Sequence, residues 1–220
     1  MQLRTIFYID GFNFYYGLRT AKAKIHARWQ QYYWIDLVGF CRSFLDPNIH
    51  ELVCVKYFTA MPLDPNKASR QTTFFNANRF VNNDLLRVIY GKYYTKTVKC
   101  NAIGGCHQEF DLREEKRTDV NISVNLIEDC VFDNVDLIVL ISADSDLVPP
   151  LEFIRRNYPN KRIKIFFPPR RNSFDLNRFV RKKAKRLENN EGKFRSSIMD
   201  NIIGNDEISY EIPPSWVYIE

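Results

Sequence analysis

Short runs of β-branched and aromatic residues alternate along the chain with longer segments whose apolar positions recur every three or four residues. Residues 3–9 form the first run and Asp10-Gly11 closes it, the pattern of a buried strand ending in a turn. Residues 12–20 are rich in aromatics and open either a helix or a loop. Leu37, Phe40, Cys41 and Phe44 share one face of a predicted helix over 34–45 that stops before Pro47. A second strand is predicted over 52–59. Asp64-Pro65 then starts a helix reaching about Asn82, since aspartate caps helices well and proline suits the first turn. A third strand follows over 86–94, and residues 94–110, which include Gly104-Gly105, read as irregular. The stripe Val120, Val124, Ile127 and Val131 predicts a helix over 118–132. Residues 135–142 are almost continuously apolar, which predicts a strand buried on both faces. A helix over 147–157, a strand over Arg162–Phe167 and a basic helical stretch over 170–186 complete the pattern, with the tail from Asn189 unassigned.

Strands alternating with helices predict an α/β fold with a mostly parallel sheet. Ligands of such sheets bind beyond the carboxyl ends of the strands. The 220 residues suffice for one domain with an appendage, and 45% hydrophobic content excludes disorder as the main state. No apolar run approaches the roughly 18 residues of a membrane span, and no small-residue cleavage site follows the first strand. Five cysteines without regular spacing argue against a disulfide framework. The expectation is a soluble, cytoplasmic protein with no membrane partner. Its net charge of +6 conceals a division. Between Arg155 and Arg195 stand 15 Lys and Arg against 3 Asp and Glu, whereas the remainder has 17 against 23. A basic region beside an acidic body suits an anionic polymer held next to carboxylates, although a solvated helix face has the same composition.

Two predicted strands end in aspartate: Asp10 closes the first, and Asp144 and Asp146 follow the strand over 135–142. Asp119 sits in the first turn of the helix after residue 118, where the helix dipole favours a carboxylate. Singly, each has an ordinary explanation: a turn residue before Gly11, or a helix cap. Together at one sheet edge they repel, and their pKa values rise unless a cation sits among them. Ligands that are all oxygen suit hard ions, one or two of Mg²⁺ or Mn²⁺. Such ions activate water and stabilise both oxygens of an in-line phosphodiester displacement. That chemistry needs no Ser, Cys or His nucleophile, and the chain has only three histidines.

The segments FYIDGFNFYYGL, REEKRTDVNISVNLIEDC and DLIVLISADSDLVPPLEFIR closely resemble, in order, the three signatures of the NYN domain, the LabA-like branch of the PIN-like nuclease superfamily. The resemblance covers about the first 170 residues. It implies a Rossmann-like, PIN-type three-layer sandwich over 1–170, with 171–220 as a basic helical extension and tail. It also implies a metal-dependent ribonuclease. The family's aspartates fall on Asp10, Asp119, Asp144 and Asp146, implied as catalytic and metal-binding, with Asn13 beside the first and Ser142 before the last pair. Glu114 and Glu115 match an acidic doublet, for which a solvated loop is the simpler reading. Asp129 lies ten residues past Asp119, about 80° around the helix, and is not placed among the ligands. Asn13 suits two roles: orienting a phosphate oxygen or a metal-bound water, or capping the next helix.

Cys100, Cys106 and His107 surround Gly104-Gly105, but C-x5-C-H lacks paired zinc spacing and a fourth ligand, so zinc is not expected. Cys41, Cys54 and Cys130 fall on apolar stripes. Phe12, Phe14, Tyr15 and Tyr16, and likewise Tyr32 and Tyr33, could stack on unpaired bases or fill the core. Arg170, Arg171, Arg178, Arg181, Lys182, Lys183, Lys185 and Arg186 are candidates for a phosphate-tracking surface, and Ser142 for a nucleic-acid contact. The expected partner is single-stranded or structured RNA, and the resemblance leaves room for a homodimer. The alternatives are an RNA- or protein-binding module that cuts nothing, and a phosphohydrolase of small esters. Against the latter, no D-x-D-x-T follows the first strand.

Overall fold

A computed structural model of the chain describes residues 2–19, 24–100, 106 and 108–217. Strand β1 (Leu3–Asp10) alternates its side chains between two cores. Phe7 and Ile9 enter one and Ile6 and Tyr8 the other, as the period of two dictates. Helix α1 (Gly11–Leu18) starts on the Asp10 side chain, and a 3-10 stretch, Lys24–Tyr33, leads to α2 (Leu37–Arg42). Strand β2 (His50–Thr59) and helix α3 (Pro65–Asn82) follow, α3 capped by Asp64 at 2.8 Å from Lys67 N. Strand β3 is Leu86–Tyr90.

Gly91 ends β3 short of the expected residue 94, and the segment predicted as irregular begins and ends, at 94–99 and 109–110, in the strands of a hairpin. Strands β4 (Lys92–Lys99) and β5 (Glu109–Lys116) pair antiparallel from Lys92↔Lys116 to Lys99↔Glu109. The pattern hid them because β4 is solvated on both faces: no position alternates into a core.

Helix α4 (Thr118–Val131) buries Ile122, Leu126, Asp129 and Cys130, not the predicted stripe. Val120, Val124 and Val131 are more than half exposed. A buried ion pair explains the rotation. Lys56 of β2 reaches Asp129 Oδ2 at 2.7 Å and Asn125 Oδ1 at 3.0 Å, and Tyr8 donates to the same Asp129 oxygen at 2.5 Å. A carboxylate thus occupies the inward face that the pattern assigned to apolar residues.

Strand β6 (Leu137–Ile141) is buried at every position. Helix α5 (Val148–Asn157), strand β7 (Arg162–Phe167) and the short helix α6 (Phe174–Phe179) follow. The basic stretch is helical only in α6. Arg181 and Lys182 take positive φ, and the chain turns back so that β8 (Lys185–Arg186) pairs with β7 and Leu187 enters a core. Past α7 (Glu191–Arg195), which carries buried Phe194, strands β9 (Ile202–Gly204) and β10 (Ser209–Glu211) form a hairpin against α3. Much of 171–220 therefore packs on the body: Leu187, Phe194 and Met199 belong to the same core as Phe7.

The central sheet has the order β3-β2-β1-β6-β7-β8 and is parallel throughout. Helices cover both faces, which is the PIN-like, Rossmann-like sandwich. The order reverses between β1 and β6, so the crevice that such sheets use for ligands opens at the carboxyl ends of these two strands. Among the described residues no helix is long and apolar enough to cross a membrane.

Candidate metal centre

Ile9 of β1 lies opposite Ile141 of β6, so Asp10 and Ser142 leave the sheet side by side at the crevice. Asp10 is 2% exposed. Its Oδ1 accepts from Asn13 N at 3.0 Å, and its Oδ2 from Asn13 Nδ2 at 2.6 Å and Ser142 Oγ at 2.8 Å. Asp10 is therefore the cap of α1, and Asn13 holds Asp10 instead of capping a helix itself. Gly11 is required behind it: a Cβ there would stand 2.5 Å from Phe58 O and collide with the Tyr57 ring.

Ser142 is fully buried, so it is no contact for nucleic acid. Its Oγ donates to Asp10 and accepts from Asp144 N at 3.0 Å, tying the ends of β1 and β6 together. Asp144 in turn accepts from Asp146 N at 3.0 Å and begins the turn into α5. Asp119 arrives from α4, whose first turn is held by Glu115: its Oε1 accepts from Thr118 N at 3.1 Å and from Thr118 Oγ1. Gly91 admits this junction, since a Cβ there would lie 2.7 Å from Lys116 O. Sequence reasoning named Glu115 in the acidic doublet but read it as a solvated loop, and it missed Gly91.

One carboxylate oxygen from each of Asp10, Asp119 and Asp144 lies within 4.8 Å of the other two. Asp146 is exposed and outside this group, though its charge reaches Asp119. Among the described residues no lysine or arginine pairs with any of the three. Burial and then the neighbouring Asp144 and Asp10 push Asp119 up from 3.8 to about 6. Burial also raises Asp10, against the hydrogen bonds from Asn13 and Ser142. Carboxylates crowded without a counter-charge are the donor set a hard divalent cation neutralises.

Of the basic candidates, Arg170 is committed to the fold. Its Nη2 donates to Gly17 O at 2.8 Å and its backbone N to Glu188 at 2.7 Å. Arg186 pairs with Glu188 at 3.2 Å. Arg171, Arg178, Arg181, Lys182 and Lys183 are exposed or half-exposed. α6, which carries Arg178, packs against the turn 145–147 that follows Asp144. Phe14 and Tyr32 are core, whereas Tyr16 is exposed and Phe12, Tyr15 and Tyr33 are half-buried. Cys106 is exposed, Cys100 is half-buried, and His107 lies outside the described residues.

The model of the NYN domain matches residues 4–184. The chain belongs to the NYN domain family. NYN domains form a branch of the PIN-like nuclease superfamily, whose enzymes typically use divalent metals on such acidic clusters. A curated relative from Pseudomonas putida, 6-hydroxy-3-succinoylpyridine 3-monooxygenase HspA, is 26% identical across 97% of this chain and 75% of its own. A solved structure from Vibrio parahaemolyticus, of a protein of unknown function, superposes with a TM-score of 0.51. It is 22% identical over 84% of this chain and 91% of that one, a likeness of fold.

Proposed function

We propose that this NYN protein is a divalent-metal-dependent endoribonuclease of the cytoplasm. The observation that carries the reading is the triad of carboxylate oxygens within 4.8 Å, with no paired lysine or arginine among the described residues, at the reversal point of the sheet. Asp10, Asp119 and Asp144 are the residues that would hold Mg²⁺ or Mn²⁺. Bound there, the metal supplies a water of lowered pKa and neutralises charge on the phosphate under attack. The chain's own part is positioning. Asn13 and Ser142 fix the Asp10 carboxylate, and Ser142 links it to Asp144. Asp146 is assigned to assistance from outside the triad. Arg171, Arg178, Arg181, Lys182 and Lys183 hold the backbone of the RNA, giving affinity without sequence information.

The test is digestion of labelled single-stranded RNA and matched DNA with Mn²⁺, Mg²⁺ or EDTA, beside Asp10→Asn and Asp144→Asn controls. RNA cleavage lost in EDTA and in both variants, with RNA binding kept, is the expected result. Undiminished cleavage by both variants refutes the assignment. Tight RNA retention without cleavage of either polymer would make the domain a binding module.

A second reading has its own observation. An aromatic cavity has Gly11, the chain neighbour of Asp10, in its wall, and HspA is named for oxygenation of a substituted pyridine. Appearance of hydroxylated pyridine in a reaction with dioxygen and a reductant, absent from a no-enzyme control, would favour it.

A further inference from the structure

The cavity has a volume of about 260 Å³, and Gly11, the neighbour of Asp10, forms part of its wall. Its faces are aromatic and come from separate parts of the chain. Tyr15 packs on Tyr33 at 5.3 Å between ring centroids, and Tyr33 on Trp216 at 5.6 Å. Phe12 meets Tyr93 of β4 at 6.2 Å. At about 260 Å³ the space lies below the ~300 Å³ typical of the smallest drug-sized sites, which suits one ring system.

Two features separate it from an ordinary packing defect. Gln71 of α3 stands in the wall and donates to Thr59 Oγ1 at 3.0 Å. Its Oε1 is buried and, among the described residues, has no hydrogen-bond partner. Buried acceptors are almost always satisfied, and a turn of the Gln71 amide would present this unpaired one to a donor in the cavity. Second, Arg19, Lys67 and Arg70 also line the cavity. Among the described residues none of them pairs with a carboxylate, while Asp64 is occupied by the cap of α3. Aromatic faces, a buried unpaired acceptor and three solvent-accessible cations together match a planar nitrogen heterocycle carrying an N–H and joined to an anion. An apolar chain would leave the acceptor unanswered.

We propose that this cavity receives one unpaired base of the RNA strand, with the phosphate of that nucleotide toward Arg19, Lys67 and Arg70. The proposal rests on the ribonuclease reading. It gives the enzyme a fixed register, because a base anchored beside Gly11 selects which phosphate reaches Asp10, Asp119 and Asp144.

The test uses the full chain. In EDTA, the four ribonucleoside monophosphates, nicotinate and inorganic phosphate are titrated by calorimetry, with tryptophan emission as a second readout. With Mn²⁺, a labelled RNA strand carrying one abasic site, moved stepwise along it, is digested. At least one nucleotide is expected to bind where phosphate alone does not. Gln71→Leu and the exposed-site change Lys67→Glu should each weaken that binding about tenfold, the scale of one base contact. An abasic site at one fixed distance from the cut should slow cleavage by a similar factor, and elsewhere leave it unchanged. Cleavage indifferent to every abasic position, with no nucleotide bound, overturns the proposal and leaves the ribonuclease standing. Nucleotide binding without cleavage of any strand sinks the ribonuclease reading and makes free nucleotide the occupant. Binding of nicotinate and of no nucleotide overturns the base assignment in favour of a small heteroaromatic acid.

Discussion

Asp119→Asn should make the metal-free protein more stable. Asp119 has its carboxyl pushed up from 3.8 to about 6 by burial and by the charges of Asp144 and Asp10. Holding a carboxyl that far above its unfolded value is worth about 3 kcal/mol to the unfolded state at neutral pH. The side chain is half-exposed, and solvent screening reduces this to about 1–2 kcal/mol. The sign follows from proton binding. Between about 6 and 3.8 the folded state holds a proton that the unfolded state has released. Stability from this group therefore rises as pH falls through that window, and the penalty is complete above it. Asp10, also raised, acts in the same direction. The pairs that fail in acid lie lower, with Asp136 held at about 2 by Arg4, and do not overlap this window. Thermal melts in EDTA from neutral pH to about pH 4 supply the measurement. At neutral pH the variant should melt about 2–8 °C above wild type, and the two curves should converge toward pH 4. Saturating Mn²⁺ should reverse the order, since an ion that binds only the folded wild type stabilises it by mass action. A folded variant that melts at or below wild type in EDTA at neutral pH would refute the account of uncompensated carboxylates.

Three further outcomes are expected. Lys56→Met strands Asp129 in the core and should cost about 3–5 kcal/mol in urea unfolding, most of it recovered by adding Asp129→Leu; a loss below about 1 kcal/mol would show the pair to be solvated. Ser142→Ala removes the bracket between Asp10 and Asp144 and should lower Mn²⁺ affinity about 10–100-fold while costing only about 1 kcal/mol of stability; unchanged affinity by calorimetry would deny it a positioning role. Replacing Arg178, Arg181, Lys182 and Lys183 by alanine should weaken RNA binding equally across sequences and reduce the salt slope of log K by about one for each phosphate no longer neutralised; an unchanged slope would move the RNA path elsewhere.

The strand ends were legible in the sequence because they combine two signals at one place. An apolar run stops, and an aspartate with a small neighbour follows, in Asp10-Gly11 and again in Ser142-Ala143-Asp144. Parallel pairing of β1 with β6 then brings two distant segments to one crevice. Ser142 was legible as a site residue but not in its role. Side-chain type does not distinguish a hydroxyl that touches a ligand from one that holds a ligand's ligand, and burial decided for the second. Asp146 illustrates the same limit from the other side. It shares a motif with Asp144, yet one turn of chain places it in solvent.

Helix α4 shows why periodicity alone cannot orient an element. Two apolar stripes share its surface, one through Val120 and Val124 and one through Ile122 and Leu126. The first is the cleaner pattern, because the second contains Asp129. What decides between them is not on the helix at all. Lys56 and Tyr8 lie on β2 and β1, and together they satisfy a buried carboxylate that would otherwise be expelled. The same rotation points Asp119 inward at the start of the helix, close to Asp10 and Asp144. A helix turned to bury Val120 and Val124 would carry Asp119 away with it. The ion pair at one end of α4 and the metal centre at the other are therefore consequences of a single orientation. Lys56→Met, which touches none of the three metal ligands, should on this reasoning lower Mn²⁺ affinity in the fraction of protein that remains folded.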